Sequence, residues 1–146
     1  MSVEENKDLV TRYVNEYNAA KGDATKILAL QEKYYDPKFV SHLTTGDMNF
    51  EQGKQFAVAL VKAFPDILLT IEDILAVGDK VVARHTWRGT HKGQWLGATP
   101  TGKKVSQVGI SIWRIAGGKF VEWWVVMDTV GLMIQLGAIP NPYVQR

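Results

Sequence analysis

In the first part of the chain, apolar residues return every three or four positions. Val10, Tyr13, Val14 and Tyr17 keep the spacing of one helix face, and Ser2 followed by Glu5 has the form of a capping box. Asp23 can cap a second helix over about residues 24–34, whose apolar positions are Ile27, Leu28 and Leu30. Pro37 breaks the pattern, and residues 38–43 read as a short extended piece ending near His42. Phe56, Ala57, Leu60, Val61 and Phe64 form the stripe of a third helix, which ends at Pro65.

Beyond Pro65 the pattern becomes that of strands. Residues 67–77 and 80–90 flank Gly78-Asp79, and residues 105–115 and 119–127 flank Gly117-Gly118, so each pair reads as a hairpin with a tight turn. A Gly-rich loop, residues 91–104, separates the hairpins. A short apolar helix, Val130 to Leu136, closes the chain and is stopped by Gly137. Three helices, four long antiparallel strands and a closing helix predict an α+β domain whose sheet curves around the helices to bury them. With no repeat, linker or low-complexity segment, residues 1–146 are expected to form one domain.

Composition narrows the function classes. A chain 46% hydrophobic and 22% charged is an ordinary globule that can build a core without disulfides or metal. With 17 basic and 15 acidic residues, the charge is too balanced to suggest nucleic acid or an anionic membrane as partner. The absence of cysteine excludes a thiol nucleophile, and the lack of an apolar leader or spanning stretch makes a cytoplasmic protein the expectation. Three histidines without close spacing argue against a metal site. Gly97 to Lys103 superficially matches a phosphate loop, but Lys104 stands where Ser or Thr is needed, Pro100 stiffens the middle and a strand follows.

The candidate chemistry gathers near the end of the chain. Asp128 closes the strand Phe120-Val121-Glu122-Trp123-Trp124-Val125-Val126-Met127 among apolar neighbours. A carboxylate buried there would need a partner or a raised pKa, which suits general acid/base work; its position equally suits capping the following helix. With Gly117-Gly118 as the turn, Gln107, Gly109, Ser111, Trp113, Glu122, Trp124 and Asp128 share one face. Val108, Ile110, Ile112, Val121, Trp123, Val125 and Met127 share the other. The first face resembles a pocket lining, with Trp113 and Trp124 as stacking walls. The second is either the core against the helices or a surface covered by another subunit.

The first hairpin groups Leu69, Ile71, Asp73, Arg84 and Thr86, and turns His85 and Trp87 the other way, with His85 outward. Arg84 then has two readings, an ion pair with Asp73 or Glu122, or a substrate contact. His91 begins the Gly-rich loop, where it reads as a turn-stabilising residue. Tyr17, Phe56 and Phe64 lie on helix faces that would close a cavity, as core residues or ligand contacts.

Several motifs are shared with a known family. They are Arg84-His85-Thr86-Trp87-Arg88-Gly89-Thr90-His91, Gly93, and Gly97-Ala98-Thr99-Pro100-Thr101-Gly102-Lys103. With them go Gly118-Lys119-Phe120-Val121-Glu122-Trp123-Trp124, Asp128, and Gln135-Leu136-Gly137. Together with Tyr34-Tyr35-Asp36-Pro37 and Val40-Ser41-His42, the chain resembles the SnoaL-like polyketide cyclases, or ester cyclases, of the NTF2-like superfamily. The resemblance implies a cone: a curved antiparallel sheet wrapped around N-terminal helices, a deep apolar cavity, and dimers or tetramers built through the outer sheet face. It implies no cofactor, and Asp128 as general acid/base of an intramolecular aldol closure on a polyketide-like carbonyl compound. His42 would assist proton transfer or donate a hydrogen bond. The family also uses a His and a Gln on the strand opposite the aspartate, where this chain offers Gln107, Ser111 and Trp113 but no histidine. Two alternatives stand beside the cyclase: a non-catalytic module that binds an apolar small molecule, and cofactor-free oxygenation or hydrolysis on the same scaffold.

Overall fold

Side-chain caps set the helix boundaries in the computed structural model, which describes residues 2–144. Met1, Gln145 and Arg146, included in the single-domain expectation, lie outside the described residues. Helix α1 (Val3–Ala19) starts at a complete capping box between Ser2 and Glu5. The Asp23 carboxylate accepts the Lys26 N–H at the start of α2 (Ala24–Tyr34), and Asn49 with Gln52 boxes the start of α3 (Phe50–Ala63). Among the described residues no helix is long and apolar enough to cross a membrane.

Six strands form one sheet: β1 (Tyr35–Leu43), β2 (Gly46–Asn49), β3 (Leu68–Val77), β4 (Lys80–Thr90), β5 (Lys104–Ala116) and β6 (Lys119–Met127). Their order is β2-β1-β6-β5-β4-β3. Gly117 and Gly118 both have positive φ, 57° and 72°, as a two-residue turn with the twist of the flanking strands requires. The expected antiparallel sheet is corrected here to a mixed one, because β1 runs parallel to β6. Parallel neighbours cannot be joined by a hairpin, and here everything from β2 to β5 lies between the two. The expected short piece at 38–43 is therefore a full strand, with β2 as an additional edge.

Two β-bulges set which side chains face inward. On β6, Phe120 pairs with Ile115 but Glu122 pairs with Arg114, so Val121 is the extra residue. On β3, Ile71 pairs with His85 but Asp73 pairs with Arg84, so Glu72 is extra. Each bulge reverses the inward–outward parity on one side of it. The concave face consequently carries Val81, Ala83, His85 and Trp87 of β4, Trp113 and Ile115 of β5, and Phe120, Trp123 and Val125 of β6.

The helices pack into this concavity. Val10 and Ile27 have no exposed surface. Tyr13 lies edge-on to Tyr34, Tyr35 and Phe120 at centroid distances of 5.3, 5.6 and 5.5 Å. Ring pairs of this kind add about 0.5–1.5 kcal/mol beyond burial. The Tyr13 hydroxyl accepts a hydrogen bond from Gln31 Nε2 at 2.9 Å, and burial raises its pKa well above the usual phenol value.

Helix α4 (Thr129–Gln135) continues from β6 and closes one end of the cone with Leu132 and Leu136, both buried. Gln135 fixes it in place. Its Oε1 accepts the Ser106 N–H at 2.8 Å and its Nε2 donates to the Ser106 carbonyl at 2.7 Å, replacing the ladder bonds β6 no longer supplies.

Candidate active site

On the concave face, β4 and β5 bring four polar side chains together. His85 Nε2 lies 2.6 Å from Ser111 Oγ, and both residues are buried. One row along, Trp87 Nε1–H donates to Gln107 Oε1 at 2.8 Å. Burial pushes the His85 imidazole down to about 4, so the ring is neutral at physiological pH. Gly109 is the cross-strand partner of His85 on one side and of Met127 on the other. A Cβ at Gly109 would collide with the Met127 sulfur and stand 3.0 Å from His85 Cε1, so glycine makes the room in which ring and thioether meet. Trp113 stacks on Trp123 at 6.4 Å and 11°. Among the described residues, His85 Nδ1 and Trp123 Nε1 are buried without a hydrogen-bond partner.

The convex face carries a second polar group. His42 Nδ1 meets Asp47 at 2.9 Å, its Nε2 meets Glu122 at 2.7 Å, and its ring stacks on Trp124 at 5.4 Å. Asp47, then Glu122, raises the His42 pKa, and His42, then Arg114 at 3.0 Å, lowers that of Glu122. Arg84 is exposed and binds Asp73 at 2.7 Å.

Gln107, Ser111 and Trp113 therefore meet as expected on one face, while four other candidates require correction. His42 and Trp124 stand on the opposite side of the sheet, because the Val121 bulge turned Glu122 and Trp124 outward. Arg84, opposite Ile110 on β4, also faces that side, where it makes the ion pair with Asp73 rather than lining the concave face. The same shift leaves Asp128 outside the buried face. It is exposed and caps α4, with Oδ1 accepting the Gly131 N–H at 2.8 Å. His85, expected outward, is among the buried residues.

The helix candidates are part of the packing. Tyr17 sits in the core beside Tyr13, with its pKa raised by burial. Phe64 is fully buried between Trp87 at 4.7 Å and His91 at 5.4 Å. Phe56 is 36% exposed and meets only the edge of Trp95 at 5.5 Å. His91 holds the Gly-rich loop, its backbone pairing with Lys103 and Gly102 and its Nδ1 lying 3.0 Å from Thr101 Oγ1. Two surface hollows of about 480 and 450 Å³ lie on the outer sides of the helices and touch none of the candidate residues.

Sequence reasoning overlooked His85, Trp87, Trp123 and Met127 as members of the concave face. The run from Trp123 to Met127 has no polar residue to mark the alternation, so neither bulge left a signal that would have found them.

A curved, open sheet filled by helices on its concave side and closed by a short C-terminal helix is the NTF2-like α+β cone. The SnoaL-like polyketide cyclase profile matches residues 7–136, and the chain belongs to that family. AclR of Streptomyces galilaeus, named as a hydroxylase candidate, superposes with a TM-score of 0.84 at 31% identity, over 96% of this chain and 89% of its own. IdmH of Streptomyces antibioticus, named as a polyketide cyclase candidate, gives 0.75 at 25% identity, over 90% and 98%. A SnoaL-like protein from Jannaschia shares the fold at 23% identity, with a TM-score of 0.80 over 94% of both chains. No match is found among curated proteins.

Proposed function

We propose that this chain is a cofactor-independent enzyme of the cyclase or isomerase type, acting on a hydrophobic, polyketide-like carbonyl compound laid along the concave face. One observation carries the reading: a wall of stacked indoles and a thioether contains two buried polar nitrogens with no partner, Trp123 Nε1 and His85 Nδ1. Each such group costs roughly 1–3 kcal/mol, and a planar apolar ligand bearing oxygen acceptors offsets that cost. Such a ligand also matches the stacking surface.

In this reading Asp128, next to Met127 at the end of β6, takes the proton. Oδ1 is held by Gly131, and the carboxylate removes a C–H proton lying between two carbonyl groups. The electron pair moves onto carbonyl oxygen, and the enolate carbon attacks a second carbonyl of the same molecule. A C–C bond forms, and the new alkoxide receives the proton back. Because Asp128 is exposed rather than desolvated, the substrate's own conjugation must make that C–H acidic.

Asp128→Asn tests this directly, since Asn caps a helix about as well as Asp and the fold is retained. The assay is deuterium exchange at the central carbon of 1-phenyl-1,3-butanedione. Exchange should fall by about 10²-fold or more with affinity for the diketone unchanged. Unchanged exchange would remove Asp128 from the chemistry. It would favour the second reading, an apolar-ligand binding module, which the commitment of Asp128 to the α4 cap supports. We also propose that copies of the chain pair through the convex face, where Val108, Ile110 and Val126 are 48%, 53% and 68% exposed.

A further inference from the structure

We propose that His85 is a catalytic residue of the concave face: its Nδ1–H donates to the ketone oxygen of the bound substrate as that oxygen becomes an enolate, and Ser111 is the positioning residue that keeps the proton on Nδ1. This deepens the enzyme reading above and rests on it.

Hydrogen-bond accounting fixes the tautomer. The Ser111 side chain is fully buried, and its one hydrogen-bond partner is His85 Nε2. If Nε2–H donated to Ser111 Oγ, the serine proton would lack an acceptor and Nδ1 would be an unused acceptor. If the serine hydroxyl donates instead, its proton is served and the unmatched donor is Nδ1–H. An oxygen acceptor bound beside the ring satisfies that donor in the second arrangement, whereas the first leaves the serine proton stranded and sets the Nδ1 lone pair against the oxygen, so the second is the stable one with such a ligand bound. A neutral ring, kept so by burial, then offers one dry, pre-aimed N–H. A donor of this kind gains most when its acceptor acquires charge, as a ketone oxygen does on forming an enolate.

The position beside the ring is held by a side chain that can yield it to an acceptor. Gly109 supplies no side chain, and the gap is filled by Met127, which is only partly buried. An unbranched thioether with three rotatable bonds is a filler that can move aside for a ligand. Trp113, tilted at 47° to the imidazole with centroids 6.3 Å apart, gives a planar ligand a wall next to the donor.

Binding of 2-acetylnaphthalene and its isostere 2-isopropenylnaphthalene, which differ in carrying a ketone oxygen or a methylene, tests the assignment. Wild-type protein should hold the ketone about tenfold more tightly than the alkene, and His85→Phe should bind the two alike. Long-range proton–nitrogen NMR of the ketone complex at pH 7 should show His85 protonated on Nδ1 and bare on Nε2. Ser111→Ala should move the proton to Nε2 and abolish the preference for the oxygen, a tautomer change that a merely structural serine would not produce. Equal affinities in wild type, a preference that survives in His85→Phe, or a proton on Nε2 in wild type would each overturn the assignment. Should His85→Phe not fold, the wild-type comparison and its spectrum decide alone. If neither compound binds, the concave-face reading falls with it, whereas equal binding of both removes only His85.

Discussion

His85 and His42 sit on opposite faces of one sheet and respond to acid in opposite ways. The folded His85 ring takes a proton only near 4, while an unfolded histidine does so near about 6.5. Between those values the unfolded chain holds a proton that the folded chain refuses, so stability falls as pH drops through this window, by about 3 kcal/mol in all. His42 has a raised pKa from its two carboxylates. Its contribution is fully present below the unfolded value and is lost as pH rises through the folded one. Urea denaturation from pH 8 to 4.5 should therefore show a maximum near about pH 6.5. His85→Gln should flatten the acidic limb, and His42→Gln the alkaline limb. An acidic limb unchanged in His85→Gln would mean that the ring is not desolvated.

Among the elements, α4 depends on a side chain acting as a strand. The two Gln135–Ser106 bonds carry the ladder past the end of β6, and their loss leaves the Ser106 backbone without a protein partner. Gln135→Ala should cost roughly 1–3 kcal/mol and accelerate amide exchange at Ser106, without altering amides in the β3–β4 hairpin. Element boundaries were legible because capping residues and Gly-containing turns mark them: Ser2 with Glu5, Asp23, Gly78-Asp79 and Gly117-Gly118 stand where the structure has ends and turns. Facing was legible on β5, where Gln107, Gly109, Ser111 and Trp113 alternate with Val108, Ile110 and Ile112. It was not legible on β6 or across β3 and β4. Glu72 and Val121 look like any other strand residue, and a single unpaired residue reverses every side chain beyond it. That is why His85 was overlooked, why Trp124 and His42 were assigned to a face they do not line, and why Asp128 stands at the exposed end of β6 rather than within the buried row. β2 escaped notice because Gly46-Asp47-Met48-Asn49 has little strand propensity and exists through its pairing with β1.

For the whole molecule, the convex face of the sheet carries a row of exposed apolar side chains. Val108, Ile110 and Val126 stand in neighbouring rows beside the partly buried Ile112 and Trp124, bordered by Arg84, Arg114 and Glu122. Hydrophobic residues clustered within a charged rim have the composition of a protein interface. Light scattering of the wild-type chain should give twice the monomer mass, and Ile110→Lys should give the monomer with unchanged 2-acetylnaphthalene affinity. A monomeric wild type would assign the stripe no role in self-association.

The β1–β6 pairing also bears on how the chain can be made. Residues 35–43 find their parallel neighbour in residues 119–127, so a ribosome must deliver the chain through β6 before the middle of the sheet can zip. Until then Tyr35 and Phe39 lack the Phe120 surface, and the emerging N-terminal half has greasy side chains and an open strand edge to shield. Messages truncated before codon 119 should yield protease-sensitive product, and full-length translation should acquire resistance late and in one step.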